Sequence, residues 1–220
     1  MRNPYAKPVA PFHRVCGAHT RIRDIWVDVG GFDVTSPEYW EGFAIMNRTV
    51  LDNPWLKMAL NNAWANATLY GALTQLDAGD FTATRPGFFS SLSRTMNHIY
   101  EVDLFYIDAL REGGLGRSVY DREDVTDRVQ LGALQADSDM QFAMFCKALT
   151  PERLGASVAT ERKDITVHEN VAALILHLVQ HQVHHRGQAH VQLSDAGITP
   201  PQLDDFYLEF GRVPSAASYW

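Results

Sequence analysis

The sequence has few cysteines, and this limits the kind of stabilisation to be expected. Only Cys16 and Cys146 are present among the 220 residues. Two thiols far apart in the sequence suit a reducing compartment better than a small secreted domain held together by disulfides. The N-terminus also lacks a charged segment followed by an apolar run, which a secretory signal would require. We therefore expect two free thiols and a cytoplasmic protein.

Long apolar runs and an excess of positive charge are missing as well. The longest apolar stretch, Val171 to Val179, is too short to cross a bilayer and is interrupted by His177. The formal net charge is −7 and no cluster of lysine and arginine is present, so a nucleic-acid backbone would be repelled. The sequence thus predicts neither a membrane span nor a nucleic-acid partner.

The chain divides at about residue 53 into two parts of different composition. Residues 1–53 are rich in proline, glycine and aromatic residues and show little helical periodicity. They are expected to form an irregular N-terminal arm, with one short helix at about Tyr39 to Val50, that packs on the main domain or on a second subunit. Residues 54–220 form the main domain. Because the aromatic residues of the arm need cover, a homodimer is expected.

Four segments of the main domain have the periodicity of long amphipathic helices. Asn53 as N-cap and Pro54 in the first turn begin the first helix, and a capping box of Thr166 and Glu169 begins the fourth. The predicted helices extend over Pro54 to Leu76, Pro86 to Leu110, Asp121 to Leu149 and Thr166 to Ala196. A short extended segment is expected at 156–160. Since only other helices can cover each apolar stripe, the sequence predicts an all-α fold, an antiparallel four-helix bundle.

Histidine is concentrated in the fourth predicted helix. Six of the nine histidines lie between residues 168 and 190. His181 and His185 are one turn apart on one face, and this spacing allows two imidazoles to bind one ion. The pairs of His181 with His177 or with His184 are also possible by spacing alone. Leu178 projects in the sector of His181 and His185, which favours that pair as the one facing the interior.

A third ligand must come from another helix, and His98 is the candidate. It lies on the apolar stripe of the second predicted helix and is the only histidine between residues 20 and 167. Three neutral imidazoles suit a divalent ion, zinc or nickel first, with iron, cobalt or manganese as alternatives. They leave a coordination position open for water or a small-molecule substrate. The competing interpretation is a helical bundle whose histidines only pack, in which case His181→Ala leaves the metal content unchanged.

The sequence also resembles a known family, the DinB/YfiT-like metal-dependent enzymes. The matching segments are Asn61-Asn62-Ala63-Trp64-Ala65-Asn66, Met96-Asn97-His98-Ile99 with Asp103, His181-Gln182-Val183-His184-His185-Arg186-Gly187-Gln188, and Pro200-Pro201-Gln202-Leu203-Asp204. The histidine-rich run together with a single upstream Asn-His-Ile is quite specific. The resemblance extends over about residues 55–212 and leaves the first fifty residues without an explanation.

The resemblance implies a four-helix bundle, often dimeric, with a divalent ion held by three histidines that correspond to His98, His181 and His185. Arg186 and Gln188 also match the family pattern and are interpreted as residues that pack around the ligands. Characterised relatives include thiol-dependent transferases and isomerases in which the metal activates a low-molecular-weight thiol. A cation lowers the pKa of a bound thiol and so provides a thiolate at neutral pH.

We therefore expect a metal-dependent enzyme, either a thiol-dependent S-transferase, with a low-molecular-weight thiol as cosubstrate, or a hydrolase. The resemblance favours the transferase. The alternative is a stress-response protein that binds a metal without turnover, in a site that is saturated or sealed from solvent. No general base is assigned from the sequence, because helix phase places Glu101, Asp103 and Tyr106 away from the ligand face.

Overall fold

The computed structural model of the protein describes residues 53–220. The predicted arm, with its short helix at Tyr39 to Val50, lies outside the described residues, and so does Cys16. In the described part, helices dominate and one small sheet of two strands is present. The prediction of a mainly helical protein is confirmed, and the sheet is an addition to the predicted all-α class. Cys146 is a buried free thiol.

The regular elements are α1 (Pro54–Leu73), α2 (Ala78–Thr82), α3 (Leu92–Arg111), α4 (Arg128–Lys147), α5 (Pro151–Gly155), β1 (Ser157–Glu161), β2 (Thr166–Asn170) and α6 (Val171–Asp195). Two short 3-10 segments lie at Gly116–Asp121 and Pro214–Ser218. β1 and β2 pair in antiparallel orientation. Between residues 53 and 220, the helices lack the combination of length and apolar character that crossing a membrane requires.

The starts of α1 and α3 show one correct and one wrong prediction. Asn53 is the N-cap of α1, and its Oδ1 accepts a hydrogen bond from the backbone N–H of Leu56 at 3.0 Å. α3 begins at Leu92 rather than at Pro86. Gly87 has a φ of 151°, a conformation that a helix does not contain and that glycine adopts without strain. The chain therefore bends before α3 begins.

The start of α6 also differs from the prediction. Residues Thr166–Asn170 form β2, so the predicted capping box of Thr166 and Glu169 is wrong. Instead, Asn170 is the N-cap and accepts a hydrogen bond from the backbone N–H of Ala173 at 3.1 Å. The predicted extended segment at 156–160 agrees with β1, whose pairing with residues 166–170 satisfies their backbone groups. This tertiary pairing outweighs the local helix signal.

The start of α4 is later than predicted, since residues Gly116–Asp121 form a 3-10 segment and the α-helix begins only at Arg128. The N-cap of α4 is Asp127, whose carboxylate accepts hydrogen bonds from the backbone N–H groups of Val129 and Gln130 at 2.7 and 2.9 Å. Capping by a side-chain oxygen satisfies donors that the first turn of a helix leaves without partners. The predicted start at Asp121 is therefore wrong.

The four long helices pack in two contacting pairs. α1 lies against α4 and α3 against α6, and further contacts join α3 to α4 and α1 to α6. A cluster of buried apolar side chains lies between them and includes Leu69, Leu73, Met96, Ile99, Leu131, Ala189 and Leu193. The contact between α3 and α6 places the helix that carries His98 next to the histidine-rich helix.

Candidate metal centre

Three histidines from two helices meet where α3 contacts α6. His98 comes from α3, and His181 and His185 come from consecutive turns of α6. Each offers one ring nitrogen, and these nitrogens lie within 4.8 Å of one another. The Nε2 atoms of His98 and His181 are 3.0 Å apart. Two nitrogens bound to one ion at ordinary zinc distances are separated by roughly 3.0–3.4 Å, so this pair has the spacing of two ligands of one divalent ion.

Burial keeps these imidazoles neutral. His98 and His181 are half-buried and His185 is buried. Burial, with a smaller contribution from the neighbouring imidazoles, lowers the pKa of His98 to about 4 and that of His181 to about 3. Burial also lowers the pKa of His185. Since a neutral imidazole is the form that binds a metal, the three rings are in the ligating form near pH 7.

Gln188 orients the ring of His185. The Nδ1 of His185 lies 2.9 Å from Oε1 of Gln188. An amide oxygen only accepts hydrogen bonds, so Nδ1 carries the proton and Nε2 keeps the lone pair that a metal would use. The amide nitrogen of Gln188 lies 3.0 Å from Nε2 of His184. Contacts at both ends therefore hold the amide in one orientation.

An aromatic ring covers one side of the histidine group. The ring centroid of Phe89 lies 4.5 Å from that of His98 and 5.6 Å from that of His185. The backbone carbonyl of Phe89 accepts a hydrogen bond from Nε2 of Gln192 at 2.8 Å, and Oε1 of Gln192 accepts one from Thr95 at 2.7 Å. This side of the group is apolar and is fixed by hydrogen bonds, so water reaches the nitrogens less easily from there.

The other histidines of α6 lie outside the group of three. His177 and His184 are exposed, as expected from their angular positions on the helix. The ring of His177 lies 6.2 Å from that of His181 and 5.0 Å from that of Tyr106. The structure thus brings together the three residues that the sequence singled out. His181, His177 and Tyr106 form a row of polar rings that leads away from this group.

A network of buried polar side chains lies beside the histidines. Its members come from all four long helices and are at most 5% exposed: Asn62 and Asn66 of α1, Asp103 of α3, Gln135 and Asp139 of α4, and Gln182 and Arg186 of α6. Polar groups at this depth are costly unless they are hydrogen-bonded. The network therefore restricts how α6 can rotate or shift against its neighbours.

Hydrogen bonds connect α6 directly to α3 and α1, and Asp103 of α3 links it further to α4. Oδ2 of Asp103 accepts from the amide nitrogen of Gln182, and from that of Gln135 at 2.6 Å. Nη1 of Arg186 donates to the amide oxygen of Asn66 at 2.9 Å and also to that of Asn62. These bonds fix the rotation of α6, and so they also fix the direction of His181 and His185.

Charge inside the network is limited by protonation. Burial raises the pKa of Asp103 to about 7, although hydrogen bonds from Gln135 and Gln182 act in the opposite direction. Burial and the neighbouring Asp103 raise the pKa of Asp139. Both carboxyl groups therefore keep their protons at a higher pH than exposed carboxyl groups do. This reduces the negative charge around the single guanidinium of Arg186.

Sequence reasoning did not identify this network. It treated Arg186 as packing support, and it treated Asp103 as part of the family resemblance and as a residue away from the ligand face. The available signal was a set of polar pairs, spaced four residues apart, on the inner faces of three helices. These pairs are Asn62 with Asn66, Gln135 with Asp139, and Gln182 with Arg186.

Comparison with known proteins gives consistent matches. The sequence model of the DinB family matches residues 46–212. Protein DinB from Bacillus subtilis (strain 168) is 21% identical over 150 residues, which cover 65% of this chain and 86% of that protein. A crystal structure of a DinB-like protein from Bacillus subtilis, at 2.30 Å resolution, is similar with a TM-score of 0.51 and 19% identity, and covers 69% of this chain and 97% of that one. At this identity the structural likeness shows the fold alone.

Proposed function

The chain belongs to the DinB family, and from this premise we propose that it is a metal-dependent enzyme in which His98, His181 and His185 hold one divalent ion. The observation that carries the proposal is the group of three neutral imidazoles from α3 and α6, with nitrogens within 4.8 Å of one another. Zinc or nickel suits this donor set first, and iron, cobalt and manganese are alternatives. Such an ion supplies a Lewis acid that lowers the pKa of a thiol or a water in a remaining coordination position.

Neighbouring residues have defined parts in this proposal. Gln188 keeps the proton of His185 on Nδ1, so Nε2 is available to the ion. Phe89 limits the access of water from one side of the histidines. His177 and Tyr106 continue the row of side chains beyond His181, and we place the small-molecule substrate along this row. Polar rings at that position provide hydrogen-bonding groups for orienting it.

S-transfer from a low-molecular-weight thiol is the reaction we favour, with hydrolysis by a bound water as the alternative at the same site. In S-transfer the thiolate sulfur forms a bond to an electrophilic carbon, the leaving group departs from that carbon, and the thiol proton passes to solvent. His98 and His181 are only half-buried. This supports a site with an exchangeable position over the sealed site of a non-catalytic, metal-binding stress-response protein.

The proposal extends to architecture and assembly. We propose that α1, α3, α4 and α6 form an antiparallel four-helix bundle, that residues 1–53 form an arm packed on it, and that the protein is a cytoplasmic homodimer. The contacts among the four long helices support the bundle. Leu176 and Val191 of α6 are more than half exposed, and such apolar side chains support an interface. A monomer by light scattering at micromolar concentration would contradict the dimer.

The cobalt-substituted protein provides the test of the enzymatic function. A small thiol or imidazole at millimolar concentration should change the visible absorption of bound cobalt, because it enters an open coordination position. Protein that binds cobalt through the histidines but shows no such change contradicts the enzyme and supports the non-catalytic alternative. The variant His185→Ala, treated in the same way, controls for cobalt bound elsewhere.

A further inference from the structure

A cavity of about 490 Å³ lies on a different side of α6 from the histidine group. Four of its lining residues come from α6 and others come from the C-terminal segment: Val183, Arg186, Gly187, His190, Asp204 and Tyr207. At about 100° per residue, Val183, Gly187 and His190 project away from the face that carries His181 and His185. The cavity is therefore separate from the candidate metal centre.

Arg186 brings a buried positive charge to this cavity. It is 5% exposed, and its Nη1 donates to the neutral amide oxygens of Asn62, Asn66 and Gln182. Within residues 53–220 no hydrogen-bond acceptor contacts Nε or Nη2, and neither atom is among the fully buried ones. Because Arg186 lines the cavity, this unpaired edge of the guanidinium is the part left to face it.

The unpaired edge has the chemistry of a carboxylate site. Nε and Nη2 of a guanidinium present two parallel N–H donors that match the two oxygens of a carboxylate. A buried cation is normally paired with an anion, yet the carboxyl groups of Asp103 and Asp139 hydrogen-bond to amides of the network and act on Arg186 only through space, without a hydrogen bond to it. In addition, Nε2 of His190 is buried and has no partner among the described residues.

We propose that this cavity binds a small monocarboxylate, with its carboxylate on the Nε and Nη2 edge of Arg186. Its apolar part rests against Val183 and Tyr207, which are 52% and 46% exposed and so have surface free for contact. Asp204 also lines the cavity, and its negative charge opposes a doubly charged anion such as phosphate more strongly than a singly charged carboxylate. This site does not depend on the proposed metal function.

Binding of matched probes to the full chain tests the ligand class. Titration calorimetry compares phenylacetate, its uncharged analogue phenylacetamide, and inorganic phosphate. We expect saturable binding of phenylacetate, with phenylacetamide weaker by about tenfold or more because charge-assisted hydrogen bonds are lost, and phosphate no tighter than the amide. Three results would overturn the proposal: equal affinity for phenylacetate and phenylacetamide, tighter binding of phosphate than of phenylacetamide, or no saturable binding of phenylacetate at millimolar concentration.

A pair of variants at Gly187 tests the location without disturbing the buried network. A Cβ at Gly187 meets nothing within 4 Å, so Gly187→Asp and Gly187→Asn should both fold and keep the metal content of the unaltered protein. Only the aspartate adds negative charge beside the cavity. We expect Gly187→Asp to weaken phenylacetate binding about tenfold relative to Gly187→Asn. Equal affinities in the two folded variants would place the carboxylate elsewhere and contradict the site.

Discussion

At the scale of single residues, burial sets the charge of the side chains on both faces of α6. His98 and His181 stay neutral down to a pH of about 4 and 3, because burial lowers the pKa of each ring. Burial acts in the opposite direction on Asp103, whose pKa it raises to about 7. The same physical cause therefore prepares ligands on one face and retains protons in the hydrogen-bonded network on the other.

Replacing Asp103 by Asn should alter how stability depends on pH. Between about pH 4 and pH 7 the folded protein keeps a proton on Asp103 that the unfolded chain has lost, since the pKa of this carboxyl is raised from 3.8 to about 7. The free energy of unfolding should therefore fall as pH rises through this window, by up to about 1.4 kcal/mol per pH unit. In Asp103→Asn, the amide oxygen can accept both hydrogen bonds and this titration is absent.

Urea unfolding of the metal-free protein and of Asp103→Asn, at several pH values between 4 and 7, measures this effect. The stability of the unaltered protein minus that of the variant should decrease steadily with rising pH. A difference that stays constant across the window would show that Asp103 does not retain its proton.

Gln188 should affect metal binding without contacting the ion. In Gln188→Leu the Nδ1 proton of His185 loses its acceptor, and we expect the dissociation constant for zinc to rise by roughly 10- to 100-fold. Gln188→Glu keeps an acceptor at the same position and should bind at least as tightly as the unaltered protein. Competition with a chromophoric chelator measures all three proteins.

His184→Ala is the matched control for Gln188. It removes the contact at the far end of the amide and a ring contact with His185 at 4.8 Å, but it leaves the acceptor for Nδ1 of His185 in place, so its effect on zinc affinity should be smaller than that of Gln188→Leu. If Gln188→Leu binds zinc as tightly as the unaltered protein, Gln188 does not orient His185.

At the scale of elements, apolar periodicity located the long helices but did not locate all of their ends. Asn53 and Pro54 begin α1 as predicted, because this cap depends on residues adjacent in sequence. The start of α6 depends on a partner distant in the chain. Residues 166–170 pair with β1, and a local capping pattern cannot report that pairing.

Asn170 should contribute more to stability than the predicted cap residue Thr166. Oδ1 of Asn170 caps α6, while its Nδ2 donates to the carbonyl oxygens of Leu154 and Ala156 at 3.1 and 3.2 Å. We expect Asn170→Ala to lower the free energy of unfolding by about 1–3 kcal/mol. Thr166 is exposed on β2, and Thr166→Ala should cost less than about 1 kcal/mol. If chemical denaturation ranks the two variants in the opposite order, Asn170 is not the main cap of α6, and a capping role for Thr166 is favoured instead.

At the scale of the whole molecule, the place of a residue in a site could be predicted from the sequence only when few elements meet around it. His98, His181 and His185 were selected from the sequence because spacing and apolar neighbours place each on an inward face. The buried network needs side chains from four helices to be complete, so Arg186 could not be paired with Asn66 before the helices were packed. The cavity beside Arg186 further requires the C-terminal segment, whose course has no periodic signal.

Metal stoichiometry decides whether His98, His181 and His185 hold an ion. Mass spectrometry would quantify metal in protein purified without a histidine tag, in the variants His98→Ala, His181→Ala and His185→Ala, and in His184→Ala as a control on the same helix. We expect about one divalent ion per chain in the unaltered protein and in His184→Ala, and its loss in the other three variants. If no stoichiometric metal is found even after incubation with zinc, nickel, iron, cobalt or manganese, or if the metal remains when His181 is replaced, these histidines only pack and the metal-dependent function is contradicted.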